Sequence, residues 1–184
     1  MHLRRLEPPD AALYRAFRLR GLLDHPDAFT SSFEEESQRP LADTERRLSG
    51  ESQACMWGAF EGEQLAGVFG FDREDRLKNS HKATLIGLFV APEFAGRGIG
   101  RALVEAVMQG AGDAGISLLV LTVTEGNAKA RALYARAGFQ TIGIEPDAIR
   151  VGGASYGKEH MFFRINPAFP ASLPPTRAAS GADA

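Results

Sequence analysis

Three glycines at alternate positions, Gly96, Gly98 and Gly100, stand directly before a run with helical apolar spacing. The first turn of a helix carries N–H groups with no internal partner, and the helix dipole adds to their pull on an anion. Glycines at such a place remove the side chains that would keep a phosphate off the backbone. The pattern is G-x-G-x-G, with Arg101 where the dinucleotide fingerprint continues, and no Gly-Lys-Ser/Thr follows as in a Walker loop. From the loop alone, an anion cradle and a tight strand-to-helix turn are equal readings. Tyr134 is a second chemical candidate, since a phenol with an ordinary pKa of about 10 stays protonated at neutral pH and can donate to a leaving group. Its place on an apolar stripe, taken alone, favours a core aromatic. Asn127 fits a helix N-cap. Glu34, Glu35 and Glu36 form an acidic run of the kind usual on a solvated helix face. His2, His25, His81, His160 and Cys55 are scattered without metal-ligand spacing, so no metal site is expected.

The elements that must position these groups follow from periodicity. Residues 3–6 alternate like a short edge strand. Pro8-Pro9-Asp10 opens a helix with Asp10 as its N-cap and Leu13, Ala16 and Phe17 on its inner face. Residues 24–40 are polar and broken by prolines, and a short helix covers 41–48. Strands at 55–60 and 65–71 form a hairpin about Gly62, and a third strand covers 82–90. Past the glycine loop, Ile99, Ala102, Leu103, Ala106 and Val107 mark a helix that Gly110, Gly112 and Gly115 end. An apolar strand at 117–123 precedes a helix with Ala130, Leu133, Tyr134 and Ala137 inward, closed by Gly138. Strands at 139–144 and 156–165 complete the domain, placed at 1–166, and 167–184 read as an irregular Pro/Ala-rich tail. Strands mixed with helices on both sides predict a mixed α/β sheet.

Composition bounds the function. The chain has 184 residues, 44% hydrophobic and 24% charged, which is globular. Twenty-one Lys+Arg against 23 Asp+Glu leave a net charge of −2 and no basic field for nucleic acid. One cysteine excludes an internal disulfide. No signal-peptide core and no membrane-spanning run is visible, so the expected setting is cytoplasmic, without membrane or nucleic-acid partners.

Two segments in register carry a resemblance. Val90-x-Pro92-Glu93-x-x-Gly96-x-Gly98-x-Gly100 resembles the pyrophosphate-binding motif of the GNAT superfamily of acyl-CoA-dependent N-acyltransferases. Asn127-x-x-Ala130-x-x-Leu133-Tyr134-x-x-x-Gly138-Phe139 is similar to the helix that follows it in that family. The resemblance implies a mostly antiparallel central sheet with helices on both faces and acetyl-CoA as co-substrate. It assigns the loop Ala95, Gly96, Arg97, Gly98, Ile99, Gly100 and Arg101 to the pyrophosphate. It assigns the backbone of Leu88, Phe89 and Val90 to the thioester carbonyl and pantetheine arm, Asn127 and Ala130 to the cofactor's arm, and Tyr134 to protonation of the leaving thiolate. Ala95 departs from the family's usual Arg or Gln, but the backbone donors survive that change, and Arg97 and Arg101 still carry charge.

The implied reaction is acetyl transfer to a primary amine of a small molecule, a peptide N-terminus or a lysine. Residues 24–40 and 145–158 would wall the acceptor pocket, and a homodimer stays open. Family members place a Glu base where Thr84 and Thr122 stand here. The remaining options are Glu125 through a water, His81, His160, the Glu34–Glu36 run, or a base-free route. A non-catalytic acyl-CoA-binding sensor or interaction domain on the same scaffold is the alternative. A nucleotide-binding regulatory domain is poorer, because the fingerprint spacing fails.

Overall fold

A computed structural model describes residues 1–165, and the segment read as a Pro/Ala-rich tail lies outside them. The chain begins with strand β1 (His2–Arg5) and helices α1 (Ala11–Asp24), α2 (Phe33–Gln38) and α3 (Leu41–Leu48). Strands β2 (Ala54–Glu61), β3 (Gln64–Arg73) and β4 (Lys82–Val90) follow. Helix α4 (Ile99–Asp113), strand β5 (Leu118–Thr124) and helix α5 (Ala128–Arg136) lead to β6 (Gln140–Val151) and β7 (Ala154–Arg164). The strands form one sheet in the order β1-β2-β3-β4-β5-β7-β6, parallel only at β4/β5. This is the mixed, mostly antiparallel sheet that the sequence predicts.

Period-two alternation sends neighbouring strand residues to opposite layers. Phe69 and Phe71 of β3 pack with Ile99, Leu103 and Val107 of α4, whereas Val68 and Met56 pack with Tyr14 and Phe17 of α1. Two apolar cores, one per face, therefore hold α4 and α5 against one side and α1 and α3 against the other, with α2 lying on α1.

Several local expectations change. Asp10 does not cap α1 with its side chain. Its carboxylate takes a bidentate pair from Arg4 (2.6 and 2.7 Å) and the Glu7 amide (2.9 Å), because a 3-10 turn at Pro8–Asp10 intervenes. The buried face of α1 is Ala11, Tyr14, Phe17, Gly21 and Leu22, and Leu13 and Ala16 are exposed. The tyrosine ring covers more sheet than the leucine, so the helix turns it inward. Residues read as a polar connection contain α2, started by a reciprocal Ser32/Glu35 capping box. Helix α4 runs through Gly110 and Gly112, since a Cβ at Gly110 would stand 2.7 Å from Cη2 of Trp57. The glycine admits the indole against the helix. Strands β6 and β7 are longer than the sequence suggests, extending through 145–155 as a hairpin that turns at Gly152-Gly153, with an irregular register between Glu145 and Ile149.

Candidate active site

The sheet opens at one place. Strand β4 pairs with β5 only from Lys82 to Thr84, against Leu118 to Val120. Beyond Thr84, β4 keeps β3 on one edge and has no strand partner on the other among the described residues. The β3–β4 register also slips there, as Val68 opposes Phe89 but Gly70 opposes Ile86. Gly87 and Leu88 thus face the single residue Phe69, which is a β-bulge, and Gly87 holds the positive φ of 72° that such a bulge asks of glycine. The bulge re-aims the strand. Ile86 belongs to the α1 side, Leu88 and Val90 pack toward α4, and Phe89 returns to the α1 side at 5.0 Å from the Phe17 ring.

The glycine loop follows that open edge. The Ala95 amide donates to Pro92 and the Ala102 amide to Gly98. Between them, the amides of residues 96–101 donate to no carbonyl and no side chain among the described residues. Gly96 and Gly98 have φ of 78° and 79°, and a Cβ at either would meet no protein atom within 4 Å. Their conformation needs glycine, and the space before them is clear. Arg20 of α1 grips Glu93 with two 2.7 Å bonds, holding the loop's entry and lowering the Glu93 carboxyl to about 2. Arg97 lies over the Phe94 ring at 5.3 Å. Arg101 is engaged by Glu105 at 2.7 Å, which draws its charge along the helix. Ala95 is exposed and leaves the loop's mouth clear.

Helix α5 packs beside the start of α4, where Leu133 faces Gly100. Asn127 caps it by accepting from the Ala130 amide at 3.1 Å, so that amide is already used and Ala130 offers the core only its methyl group. Tyr134 is buried between Phe69 and Phe139, with ring centroids at 6.0 and 5.7 Å. Burial pushes its phenol above the usual range, so it is protonated at rest. Its ring packs as a core aromatic against Phe69 of β3, the residue opposite the β4 bulge.

On the α1 face, the segment between α1 and α2 is tied to β5 and β7. Thr124 Oγ1 donates to the Asp27 carbonyl at 2.7 Å, and buried Lys158 donates to Thr30. Burial lowers the Lys158 pKa. The candidate bases separate here. His81 lies before the start of β4, with its carbonyl bonded to Ser117 and Leu118, at the closed end of the β4/β5 pair. Glu125 lies over Gly157, where a Cβ would come 2.8 Å from its carboxyl carbon. Glu34 and Glu35 are exposed, and Glu36 turns into a cavity beneath α1. His160 sits directly across from Thr122 in the β5–β7 register and bonds Glu145 at 2.8 Å through Nε2. Among the described residues no cluster fit to hold a metal ion is present.

Two groups went unread in the sequence, Gly87 and Arg18. A glycine inside a strand is a bulge signal. Arg18 repeats four residues after Tyr14 and four before Leu22, so an arginine occupies the inward stripe of α1.

The sequence profile of the Acetyltransferase (GNAT) family matches residues 21–139. Human N-acetyltransferase 8 is 32% identical over 104 residues, 56% of this chain and 46% of the relative. An uncharacterized Mycobacterium leprae protein, ML0378, is 32% identical over 122 residues, 66% of this chain and 33% of the relative. The chain thus spans less than half the length of these curated relatives. A GNAT acetyltransferase from Streptococcus pneumoniae superposes with a TM-score of 0.80 at 23% identity, covering 89% of this chain and 98% of that one. The Salmonella typhimurium protein yncA, solved with acetyl-CoA, superposes at 0.76 and 19% identity, covering 96% and 98%. At those identities the superpositions speak to the fold, and the profile spanning the bulged strand, the glycine loop and the Tyr134 helix speaks to descent. The chain belongs to the GNAT acetyltransferase family.

Proposed function

We propose that this chain transfers the acetyl group of acetyl-CoA to a primary amine. The observation that carries the reading is the run of six unpartnered amides at residues 96–101, opening beside the unpaired edge of β4. A diphosphate accepts from such amides, as anions do at helix starts. The pantetheine arm then lies along β4, where the missing β5 neighbour leaves backbone groups to pair with it. The yncA protein, which shares the fold, was solved with acetyl-CoA.

The amine nitrogen, once deprotonated, attacks the thioester carbon. The backbone N–H groups of the bulged segment 88–90 hold the oxygen as it gains charge. When the C–S bond breaks, the thiolate takes the phenolic proton of Tyr134, which recovers one from solvent. Desolvation raises the pKa of the thiol as it does that of the phenol, so the transfer need not run uphill. The proton lost by the ammonium goes to His160, held in orientation by Glu145, and from there to water. His160 takes over on β7 the place that Thr122 leaves without a base.

Thiol release from acetyl-CoA across a panel of amines tests the reading. Tyr134→Phe is expected to lower turnover about 10- to 1,000-fold with CoA affinity unchanged. Equal turnover in both proteins refutes the acid role. The absence of carboxylates at Thr84 and Thr122 favours a second reading, a non-catalytic acyl-CoA sensor. Binding of acetyl-CoA without transfer to any amine would select it.

A further inference from the structure

We propose that the acceptor is a free α-amino acid whose carboxylate is held by Arg18, an inference that rests on the acetyl-transfer reading above. A cavity of about 530 Å³ lies between α1, α2, α3 and the start of β2. That volume suits a small-molecule ligand. Arginines and acids alternate around its wall, and most are already engaged. Arg15 donates to the Ser37 carbonyl at 2.8 Å, Arg39 faces Glu36 at 3.8 Å, and Arg47 faces Asp72 at 3.6 Å.

Arg18 is the exception. Its guanidinium lies 4.4 Å over the Phe29 ring, and its buried Nη1 has no hydrogen-bond partner. Burial is also the main influence on its acidity, opposing its charge, while nearby Tyr14 and Glu36 support that charge without bonding Nη1. Buried charges left unpaired are strongly destabilising, so such a group calls for a counterion. Arg47 adds a second buried unpartnered nitrogen, Nε, in the same wall. A carboxylate presents two acceptor oxygens, the complement of a guanidinium fork.

Position then selects among amines. Arg18 Nη1 stands 3.9 Å from the point where a Cβ on Gly87 would lie. The segment read as holding the thioester carbonyl begins at the next residue, and a strand advances about 3.3 Å per residue. Charge and reacting carbon are therefore close neighbours. An α-amino acid carries its amine and its carboxylate on one carbon. A protein lysine has no carboxylate near its amine, and a peptide N-terminus has an uncharged carbonyl there. Arg18 joins the two places, since it lines the cavity and its Nη1 reaches toward Gly87, so the side chain of the amino acid would extend from there into the cavity.

The test compares the common amino acids, each with its carboxamide and its decarboxylated amine, at saturating acetyl-CoA. Amidation lowers the pKa of the ammonium and exposes more free amine, so intrinsic reactivity favours the amide. At least one amino acid is expected to exceed both counterparts by about 100-fold or more in kcat/KM. Arg18→Met keeps the stem packed on Phe29 and is expected to erase that preference, bringing kcat/KM on the amino acid down to that on its carboxamide. Equal use of acid, amide and amine by the parent protein overturns the proposal and leaves acetyl transfer standing. No transfer to any amine, with no heat on titrating acetyl-CoA, overturns the transfer reading instead. Calorimetric titration of amino acids into the CoA-saturated protein reads the contact without turnover. Binding of an acid but not its amide supports the proposal, and no binding by any acid ends it. If Arg18→Met does not fold, as its melting temperature will tell, the parent's acid-against-amide ratio decides alone.

Discussion

Gly98 offers the sharpest separation between a ligand cradle and a turn. It precedes α4 with φ at 79°, and a Cβ there meets no protein atom within 4 Å. Gly98→Ala therefore brings no clash within the protein, only the cost of a left-handed residue, about 1–2 kcal/mol. For a domain of this size that corresponds to roughly 2–8 °C in Tm. Gly115, at the other end of α4, has φ at 78° and equally open surroundings, so Gly115→Ala carries the same strain far from the loop. The two variants should lose similar stability. Their CoA affinities should differ, because in the proposed reading the methyl at 98 stands where a phosphate would meet the loop amides. Loss of one charge-assisted hydrogen bond is about 1.5–3 kcal/mol, or about 10- to 150-fold in Kd. Gly98→Asn, which tolerates the left-handed region, should recover stability but not affinity. Differential scanning calorimetry and isothermal titration with CoA give both quantities. Matching CoA affinities for Gly98→Ala and Gly115→Ala would refute the cradle.

His160→Gln is expected to lower kcat at neutral pH while sparing the KM for acetyl-CoA. The deficit should shrink toward the ordinary ammonium pKa of about 10, where the amine is already free, and a pH-independent deficit removes the base role. Gly110→Ala drives a methyl into Trp57 and should lower Tm by a few degrees, overpacking by about 1–3 kcal/mol outweighing the helix gain of about 1 kcal/mol. Gly112→Ala, whose Cβ would lie 3.6 Å from Ile165, should raise Tm, and a rise in both variants contradicts the packing described. Arg4 holds the Asp10 carboxyl below its ordinary value, chiefly by hydrogen bonding, so the pair stabilises above the unfolded carboxylate's pKa and is lost as pH falls through the folded one. With Arg4 partly exposed, Asp10→Asn should cost about 1 kcal/mol or less at pH 7 and nothing in strong acid. A deficit that persists in acid assigns the loss to something other than this pair.

The family and the glycine loop were legible because both depend on neighbours in sequence. A positive φ, a helix start and a cap are properties of a few consecutive residues, so Gly96, Gly98, Asn127 and Gly138 announce themselves by type and spacing. The limits of β4 and α3 were readable for the same reason. Only the fold decided the parting of β4 from β5, the bulge opposite Phe69, the meeting of Thr122 with His160 and of His160 with Glu145, and the place of Arg18 beside Gly87. Each of these depends on register between strands or on which side of a helix faces the sheet. A shift of one residue exchanges the two faces of a strand, and packing across the whole sheet, rather than any local preference, selects among such registers.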